Sequence, residues 1–505
     1  MATLPRVIVT GASGFLGRRV MHLLSASHHV IAVDRRTRTS SEVAAHPNVE
    51  WHAIDVADEA AVRATLDKVR AEGGAAAVIH LAAWYDFTGE AHPEYMRTNV
   101  DGTRLLLENC GGLGLRRFIF ASSIAACGFS STGHPITESS PPDGTHIYAR
   151  SKRMGEELVR EHSGRIPTCI VRLAALYSDW CEYPMLYVML DAWLSKRWNA
   201  RVLGGQGRTS IPYLHVRDAA DFFLKVLDHR DALEPAEVLQ ASSDGAVSHR
   251  QLYDATTEYF FNTKQAPILV PRPLALVGML GRDTLGRMLG ARPFERPWMA
   301  RYIDTELVVD ASRTRERLSW EPRTRLSIVN RIPFMIENLK TNPMEWLMRN
   351  REILDHSAAQ PNFVIYRILD RHQPAMEEAY GRVLNGEGGV NVPGYRARGR
   401  DENQLSARIT IRALIQSVRT GERGHFMNYC RDVSTWRANQ HIDGLEMIQA
   451  LRALNWIVID ALRGDPDGAT IGRSLHDYVT MTIEFGIDQI LEVYEDARAG
   501  AQPAA

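Results

Sequence analysis

Apolar residues along this chain follow two different rhythms. Through about residue 340 they come as short uninterrupted runs: RVIVT from Arg6, HVIAVD from His29, VEWHAIDVAD ending near Asp55, AAVIHLAAW, and RRFIFASS ending in Ser122 and Ser123. Continuous β-branched runs of this kind belong to strands buried on both faces. FLGRRVMHLLSA, behind the first run, reads at helical spacing, and strands alternating with helices predict an α/β doubly wound parallel sheet. Past residue 345 the period changes. ITIRALIQSVR places Ile411, Leu414, Ile415 and Val418 at i, i+3, i+4 and i+7, and GLEMIQALRALNWIVIDAL and LHDYVTMTIEFGIDQILEVY continue it. This predicts an all-α helical bundle. The expected organisation is a first domain over 1–340, a linker over 341–362 and a bundle over 363–505.

Composition adds limits. A chain of 505 residues with 45% hydrophobic content exceeds what one core accommodates. Its 59 Lys and Arg nearly balance 60 Asp and Glu, so no global field attracts nucleic acid or an anionic membrane, and both partners start disfavoured. The five cysteines, Cys110, Cys127, Cys169, Cys181 and Cys430, form no CxxC pair for a metal or redox couple, which fits a reducing cytoplasm. MATLPR before the first strand leads us to expect no secretion signal. The most apolar later stretch, APILVPRPLALVGMLGR from Ala266, is broken by prolines and arginines and too short to span a bilayer. A soluble protein without an integral membrane segment is expected, with that stretch apolar enough to touch a membrane surface.

The strand-to-helix turn VTGASGFLG holds Gly11, Gly14 and Gly17. The first glycine permits a tight turn, the second lets a pyrophosphate reach the backbone, and the third allows close helix packing, with the helix N-terminus facing the anion. Asp34 ends the second strand 23 residues after Gly11, where a carboxylate binds a ribose 2′-hydroxyl. That favours NAD. Arg35 and Arg36 follow directly, and either could bind a 2′-phosphate, so NADP stays open. In such a sheet Gly11, Asp34, Asp55 and HLAA from His80 would gather at the carboxyl ends of the strands.

HIYARSKRMGEE places Tyr148 and Lys152 four residues apart, on one face of a helix. A tyrosine hydroxyl titrates near ~10, and an adjacent ammonium would lower it towards a useful base. Ser123 could hydrogen-bond a substrate oxygen while Tyr148 gives or takes its proton.

Together these residues resemble the extended short-chain dehydrogenase/reductase family, which holds nucleotide-sugar epimerases, dehydratases and 3β-hydroxysteroid-type dehydrogenases. The resemblance runs over about residues 5–340: TGASGFLG, Asp34, Asp55 with Val56, HLAA, NVDGT from Asn99, SSIAACG, Tyr148 with Lys152, VRLAALYS from Val171 and YLHVRDAA from Tyr213. It implies a Rossmann sheet with a small substrate lobe. It also implies a cofactor cradle made of Gly11, Ser13, Gly14, Phe15, Leu16, Gly17, Asp34, Arg35, Asp55, Val56, Leu81, Ala82 and Ala83. By the same resemblance Lys152 also binds the nicotinamide ribose, Asn99 positions the active region, and Ser123 with Tyr148 completes the catalytic group. Segments matching the family's dimer helices, near 95–113 and 149–163, imply a homodimer.

The chain departs from the sugar-nucleotide members at GGQGRTSIPYLHVRD, where Ile211 and Pro212 replace a polar contact pair. WYDFTG and YSDWCEYPMLYVMLDAWLSKRW are aromatic, which points to a pocket lined by Trp84, Tyr85, Phe87, Tyr177 and Trp180. An NAD(P)-dependent oxidoreductase acting on a secondary alcohol or ketone of a lipid-, isoprenoid-, steroid-like or aromatic substrate is the leading expectation. An epimerase or dehydratase with tightly held NAD acting on a nucleotide sugar is the first alternative. A nucleotide-binding regulatory protein is the second. In the C-terminal part, FMNYCRDVSTWRANQHIDGLEMIQALRALNWIVIDAL resembles the helical N-terminal sensor domain of stressosome co-antagonists of the Rsb group. His425 and His441 lack a ligand-spaced partner, so no metal is assigned.

Overall fold

A computed structural model describes residues 4–500 except 39–40, 42, 87–88, 129–133, 196, 289–292, 344, 347–348, 351–360, 421–422, 441, 467 and 469–472. The chain divides into two compact units, Met1–Ile336 and Glu337–Ala505.

Unit 1 is built on seven parallel strands: β1 (Arg6–Thr10), β2 (His29–Asp34), β3 (Val49–Ala53), β4 (Ala77–His80), β5 (Arg117–Ser123), β6 (Thr168–Leu173) and β7 (Ala236–Ala241), in the order β7-β6-β5-β4-β1-β2-β3. The unbroken β-branched runs are explained by burial of both faces. Val7, Val9, Val30 and Ile79 pack on one side with α1 (Phe15–Leu24) and α6 (Val216–Asp228) through Val20, Leu24, Phe222 and Phe223. Ile8, Ile31, Val33 and Val78 pack on the other with α2 (Glu59–Ala71), α3 (Gly102–Asn109) and α4 (Ile147–His162) through Val62, Leu66, Leu106, Leu107 and Val159.

The five runs read from the pattern are five of the seven strands. The third stops at Ala53 rather than Asp55, because the Asp55 carboxylate accepts from the backbone N–H of Ala57 at 2.9 Å and turns the chain towards α2. A smaller lobe contains α5 (Pro184–Trp193), α7 (His249–Phe261), α8 (Arg272–Met288) and short strand pairs, among them Val202–Gly204 with Ile268–Val270. Helix α9 (Ile328–Thr341) closes the unit with Ile332, Met335 and Ile336 buried.

Between β1, β4 and α3 lies a chain of hydrogen bonds in which every proton can be assigned. The Thr103 hydroxyl donates to the Asn99 carbonyl at 2.8 Å, so its oxygen accepts from His80 Nε2 at 3.0 Å. His80 Nδ1 then accepts from the Thr10 hydroxyl at 2.6 Å, whose oxygen accepts from the Ala82 N–H at 3.2 Å. His80 is therefore neutral, and burial lowers its pKa from 6.5 to about 3.

Unit 2 is helical: α10 (Pro361–Leu384), α11 (Arg400–Thr420), α12 (Gly424–Asn439), α13 (Gly444–Gly464) and α14 (Arg473–Gly500). The four positions singled out by period, Ile411, Leu414, Ile415 and Val418, are all buried in its core beside Phe426, Leu454 and Ile483. His441 lies outside the described residues, and among those described no group of His, Cys, Asp and Glu could hold a metal ion.

Two outcomes follow from this architecture. The unfolded state takes up a proton at His80 below about pH 6.5 and the native state resists until about 3, so stability falls as pH drops through that window. His80 should contribute about 1.4 kcal/mol per pH unit to that slope, read by urea unfolding across the pH series as the difference between the unaltered chain and His80→Gln. Each unit has its own core, so a chain shortened to Lys340 should stay folded and gain thermal stability with NAD. An unfolded or aggregated product would contradict this.

Candidate active site

Gly11 has φ +68°, and a Cβ there would lie 2.7 Å from the Ala82 backbone nitrogen. A Cβ on Gly17 would lie 2.1 Å from the Gly11 carbonyl oxygen. The turn therefore brings β1, the start of α1 and the end of β4 into backbone contact, which only glycine permits. Gly14 is the N-cap of α1, with no side chain bonding back and no acidic residue in the first turn. The helix N-terminus, with Phe15, Leu16 and Gly17 as its first residues, keeps its unpaired N–H groups for an anion.

At the end of β2, Asp34 Oδ2 accepts from the Ser13 N–H at 2.9 Å and the Ser13 hydroxyl at 2.7 Å, while Oδ1 accepts from the Arg36 N–H at 3.0 Å. Ser13 thus orients the carboxylate. Of the two arginines considered, Arg36 sits against this group, 3.6 Å from Asp34 Oδ1 and donating to Ser13 Oγ at 2.6 Å. Arg35 instead contributes to the charge around Asp55. Asp55 is paired with Arg97, and Val56 is buried against Gly102. Leu81 and Ala82 are half-buried and Ala83 is exposed at the strand end.

Asn99 lies on a single π-helical turn, Arg97–Asp101, of the kind often found at functional sites. Its amide accepts from the Trp84 N–H at 2.6 Å and donates to the Trp84 carbonyl and to Ser151 Oγ, both at 3.0 Å. It is a clamp between the loop after β4 and helix α4. Tyr95 holds the same loop from the next turn, its hydroxyl donating to the Asp86 carbonyl at 2.8 Å.

Tyr148, Lys152 and Ser123 come together where α4 crosses β5. The helix approaches closely because residue 155 is glycine, where a Cβ would stand 2.5 Å from Phe120 Cζ. Lys152 Nζ donates to the Ala121 carbonyl at 2.8 Å and lies 5.9 Å from the centre of the Tyr148 ring. Burial lowers its pKa to about 8 against the attraction of Glu156. The expectation that Lys152 lowers the Tyr148 hydroxyl is not met. Burial raises that hydroxyl well above its ordinary value, opposed by a hydrogen bond with Ser123. Tyr148 therefore stands as a neutral phenol with its proton in hand.

The helix is locked from below by groups that no motif advertised. The buried Glu156 carboxylate accepts from Ser122 Oγ at 2.7 Å, from Arg172 Nε at 3.0 Å and Nη2 at 2.9 Å, and from Arg160 at 2.8 Å. Mid-helix acids look like surface residues in a sequence, so only strand β6 reveals this partner.

The aromatic residues separate into wall and core. Tyr85 lies 4.3 Å from Tyr148 between ring centres, and Trp84 stacks on His92 at 4.6 Å. Trp298 packs 4.6 Å from His146, two residues before Tyr148. Tyr183, not singled out from sequence, contributes to the surroundings of both Tyr85 and Tyr148. Tyr177 is placed differently from the expectation: it is fully buried, with its hydroxyl donated to the Leu326 carbonyl, so it serves the core. Trp180 is half-buried beside Asp179, whose carboxylate is held low by His215 and Arg331, the latter at 2.7 Å. Phe87 lies outside the described residues.

Residues 7–241 match the NAD dependent epimerase/dehydratase family. The chain is 31% identical over 193 residues to 3 beta-hydroxysteroid dehydrogenase/Delta 5-->4-isomerase of monkeypox virus, covering 34% of this chain and 52% of that one. UDP-glucose 4-epimerase of Bacillus subtilis is 30% identical over 165 residues, 31% of this chain and 47% of its own. This chain thus spans about half the length of these two relatives. Human 3 beta-hydroxysteroid dehydrogenase type 7 is 26% identical over 346 residues, 62% of this chain and 90% of its own. Among solved structures, UDP-glucose 4-epimerase of Thermotoga maritima superposes with a TM-score of 0.51 at 20% identity, covering 66% of this chain and 98% of that one, a likeness of fold. The match to the NAD dependent epimerase/dehydratase family over residues 7–241 thus spans the sheet from β1 to β7, and the fold is the one the Thermotoga maritima structure shares.

Proposed function

We propose that unit 1 is an NAD-dependent oxidoreductase that moves a hydride to or from a secondary alcohol or ketone of an apolar or aromatic substrate. The observation that carries this reading is the Tyr148 phenol, hydrogen-bonded to Ser123 and packed under Tyr85, at the strand ends beside a glycine turn whose helix N-terminus is uncapped. The dinucleotide fits the residues present. The α1 N-terminus would hold the pyrophosphate, the Gly11–Ala82 contact would leave its approach clear of side chains, and Asp34 would accept from the ribose. When bound, the nicotinamide supplies the hydride acceptor or donor.

The protein's part is to position and to transfer a proton. Ser123 orients the substrate oxygen and Tyr148 gives it a proton in reduction or takes one in oxidation. Lys152, held by the Ala121 carbonyl, supplies positive charge beneath that oxygen and loses it as pH rises past about 8. The apolar substrate class is supported by the walls of Trp84, Tyr85, Tyr183 and Trp298 and by Ile211, which is paired with Val247 in a short strand where sugar-nucleotide members carry a polar contact. The epimerase reading is favoured instead by the UDP-glucose 4-epimerase relatives. Helices α3 and α4 supply the faces for a homodimer.

A screen of alcohols and ketones following the absorbance of reduced nicotinamide tests the class of reaction. Cofactor that stays bound, unexchanged through turnover, would support epimerisation. Tyr148→Phe should lower turnover by ~100-fold or more with little change in cofactor affinity, and near-normal turnover would remove Tyr148 as the proton donor. Calorimetric titration should show NAD binding more tightly than NADP, with Asp34→Ala shrinking the difference. Tighter NADP binding by the unaltered chain would mean that Arg36 dominates.

A further inference from the structure

Helix α8 presents its apolar residues away from the protein. Asp283 and Gly286 are its buried residues, and with half-buried Ala275 and Met279 they form one face at 3.6 residues per turn. Positions 274, 277, 281, 284–285 and 288 lie on the opposite face, where Leu274 is 63%, Val277 66%, Leu285 57% and Met288 80% exposed. The amphipathic pattern is inverted, with an acid inward and leucines outward. Asp283 is neutralised by Arg287 at 2.8 Å and Arg296 at 3.4 Å, which keeps the acid inward and leaves the apolar stripe exposed.

The charges around the stripe favour one occupant. Residues 262–288 carry Lys264, Arg272, Arg282 and Arg287 against Asp283 alone. Arg282 and Arg287 flank the stripe on either side, Arg282 also lying 3.5 Å from Glu295. A basic rim around a stripe with no hydrogen-bonding anchor except Thr284 complements lipid phosphates above and acyl chains below. The strand leading into α8 exposes Ile268 at 51%, and its partner strand follows Trp198, which is 85% exposed. Tryptophan at such a position suits a membrane–water interface.

We propose that α8 is an interfacial helix through which the protein docks on an anionic lipid surface, its leucine stripe entering the headgroup region and its arginines remaining among the phosphates. No helix among the described residues is long and apolar enough to cross a membrane, so the contact is lateral. After α8 the chain returns through Pro297–Tyr302 to Trp298, against His146 and so beside Tyr148. Docking thereby sets the aromatic wall next to the source of a lipid-like substrate. That last consequence rests on the substrate class proposed above, whereas the docking does not.

Flotation of the full chain with phosphatidylcholine vesicles, and with vesicles of equal phosphatidylcholine and phosphatidylglycerol, tests this. The chain should float with the anionic vesicles, less so at high salt. Val277→Asp combined with Leu285→Asp should cut the bound fraction ~10-fold or more while the thermal shift with NAD is retained. Arg272→Gln with Arg282→Gln, which leaves the stripe intact, should weaken binding to the anionic vesicles alone by a similar factor. Failure of the unaltered chain to float, or equal flotation of the doubly substituted chains, overturns the proposal. Self-association abolished by the aspartates without any vesicle binding would assign the stripe to a second copy and overturn it as well.

Discussion

The placing of Tyr148 and Lys152 beside Ser123 depends on one buried carboxylate. Glu156 lies four residues after Lys152 and eight after Tyr148, on the inner face of α4, and its oxygens take hydrogen bonds from β5 through Ser122 and from β6 through Arg172. A charge in that position is costly unless every lone pair is used, and here Arg172, itself fully buried, is held by Ser140 as well. Removing either partner would strand the other and cost about 3–5 kcal/mol, so the pair works less as a source of stability than as a fastener of register. A one-residue slip of α4 would lose the carboxylate's partners and turn Tyr148 away from Ser123 together.

A second constraint reaches the same place from the other side. The hydrogen-bond chain through Thr10, His80 and Thr103 joins the glycine turn to the carbonyl of Asn99, and the side chain of Asn99 grips Trp84 and Ser151. The glycine turn, the loop that carries Tyr85 and the helix that carries Tyr148 are thus tied by short-range polar contacts rather than by packing alone. Polar bonds have direction and fix orientation where apolar contacts would tolerate sliding.

What could be read from the chain depended on whether a residue's task was local. The glycine turn and Asp34 were legible because their geometry is dictated by neighbours within one strand–turn–helix unit. Tyr148 and Lys152 were legible because four residues on a helix share a face. Glu156, Arg172 and His80 were not, since their partners lie on other strands and only the fold brings them within reach. The aromatic residues show the same limit. Tyr177 and Tyr183 sit six residues apart in one aromatic-rich stretch, yet one is spent on the Leu326 carbonyl and the other lines the surroundings of Tyr148. The charge argument for Lys152 failed for a related reason, since spacing shows who is near and not how dry the site is. Desolvation dominates at Tyr148 and is opposed by the hydrogen bond with Ser123, while burial also loosens the lysine's own proton.

Inside–outside patterning holds through the sheet and through the helical unit, where Ile411, Leu414, Ile415 and Val418 all turn inward as their period requires. Against that regularity the inversion of α8 is informative. A helix whose leucines merely lacked a better place would be expected to bury some of them, because a half-turn rotation would bring Leu274, Val277 and Leu285 against the lobe and send Asp283 to water. The ion pair of Asp283 with Arg296, which lies beyond the helix, opposes that rotation and holds the apolar stripe outward, whereas the pair with Arg287 lies within α8 and turns with it. The polar bonds set the orientation, and the hydrophobic surface they expose is the consequence that a lipid surface would relieve.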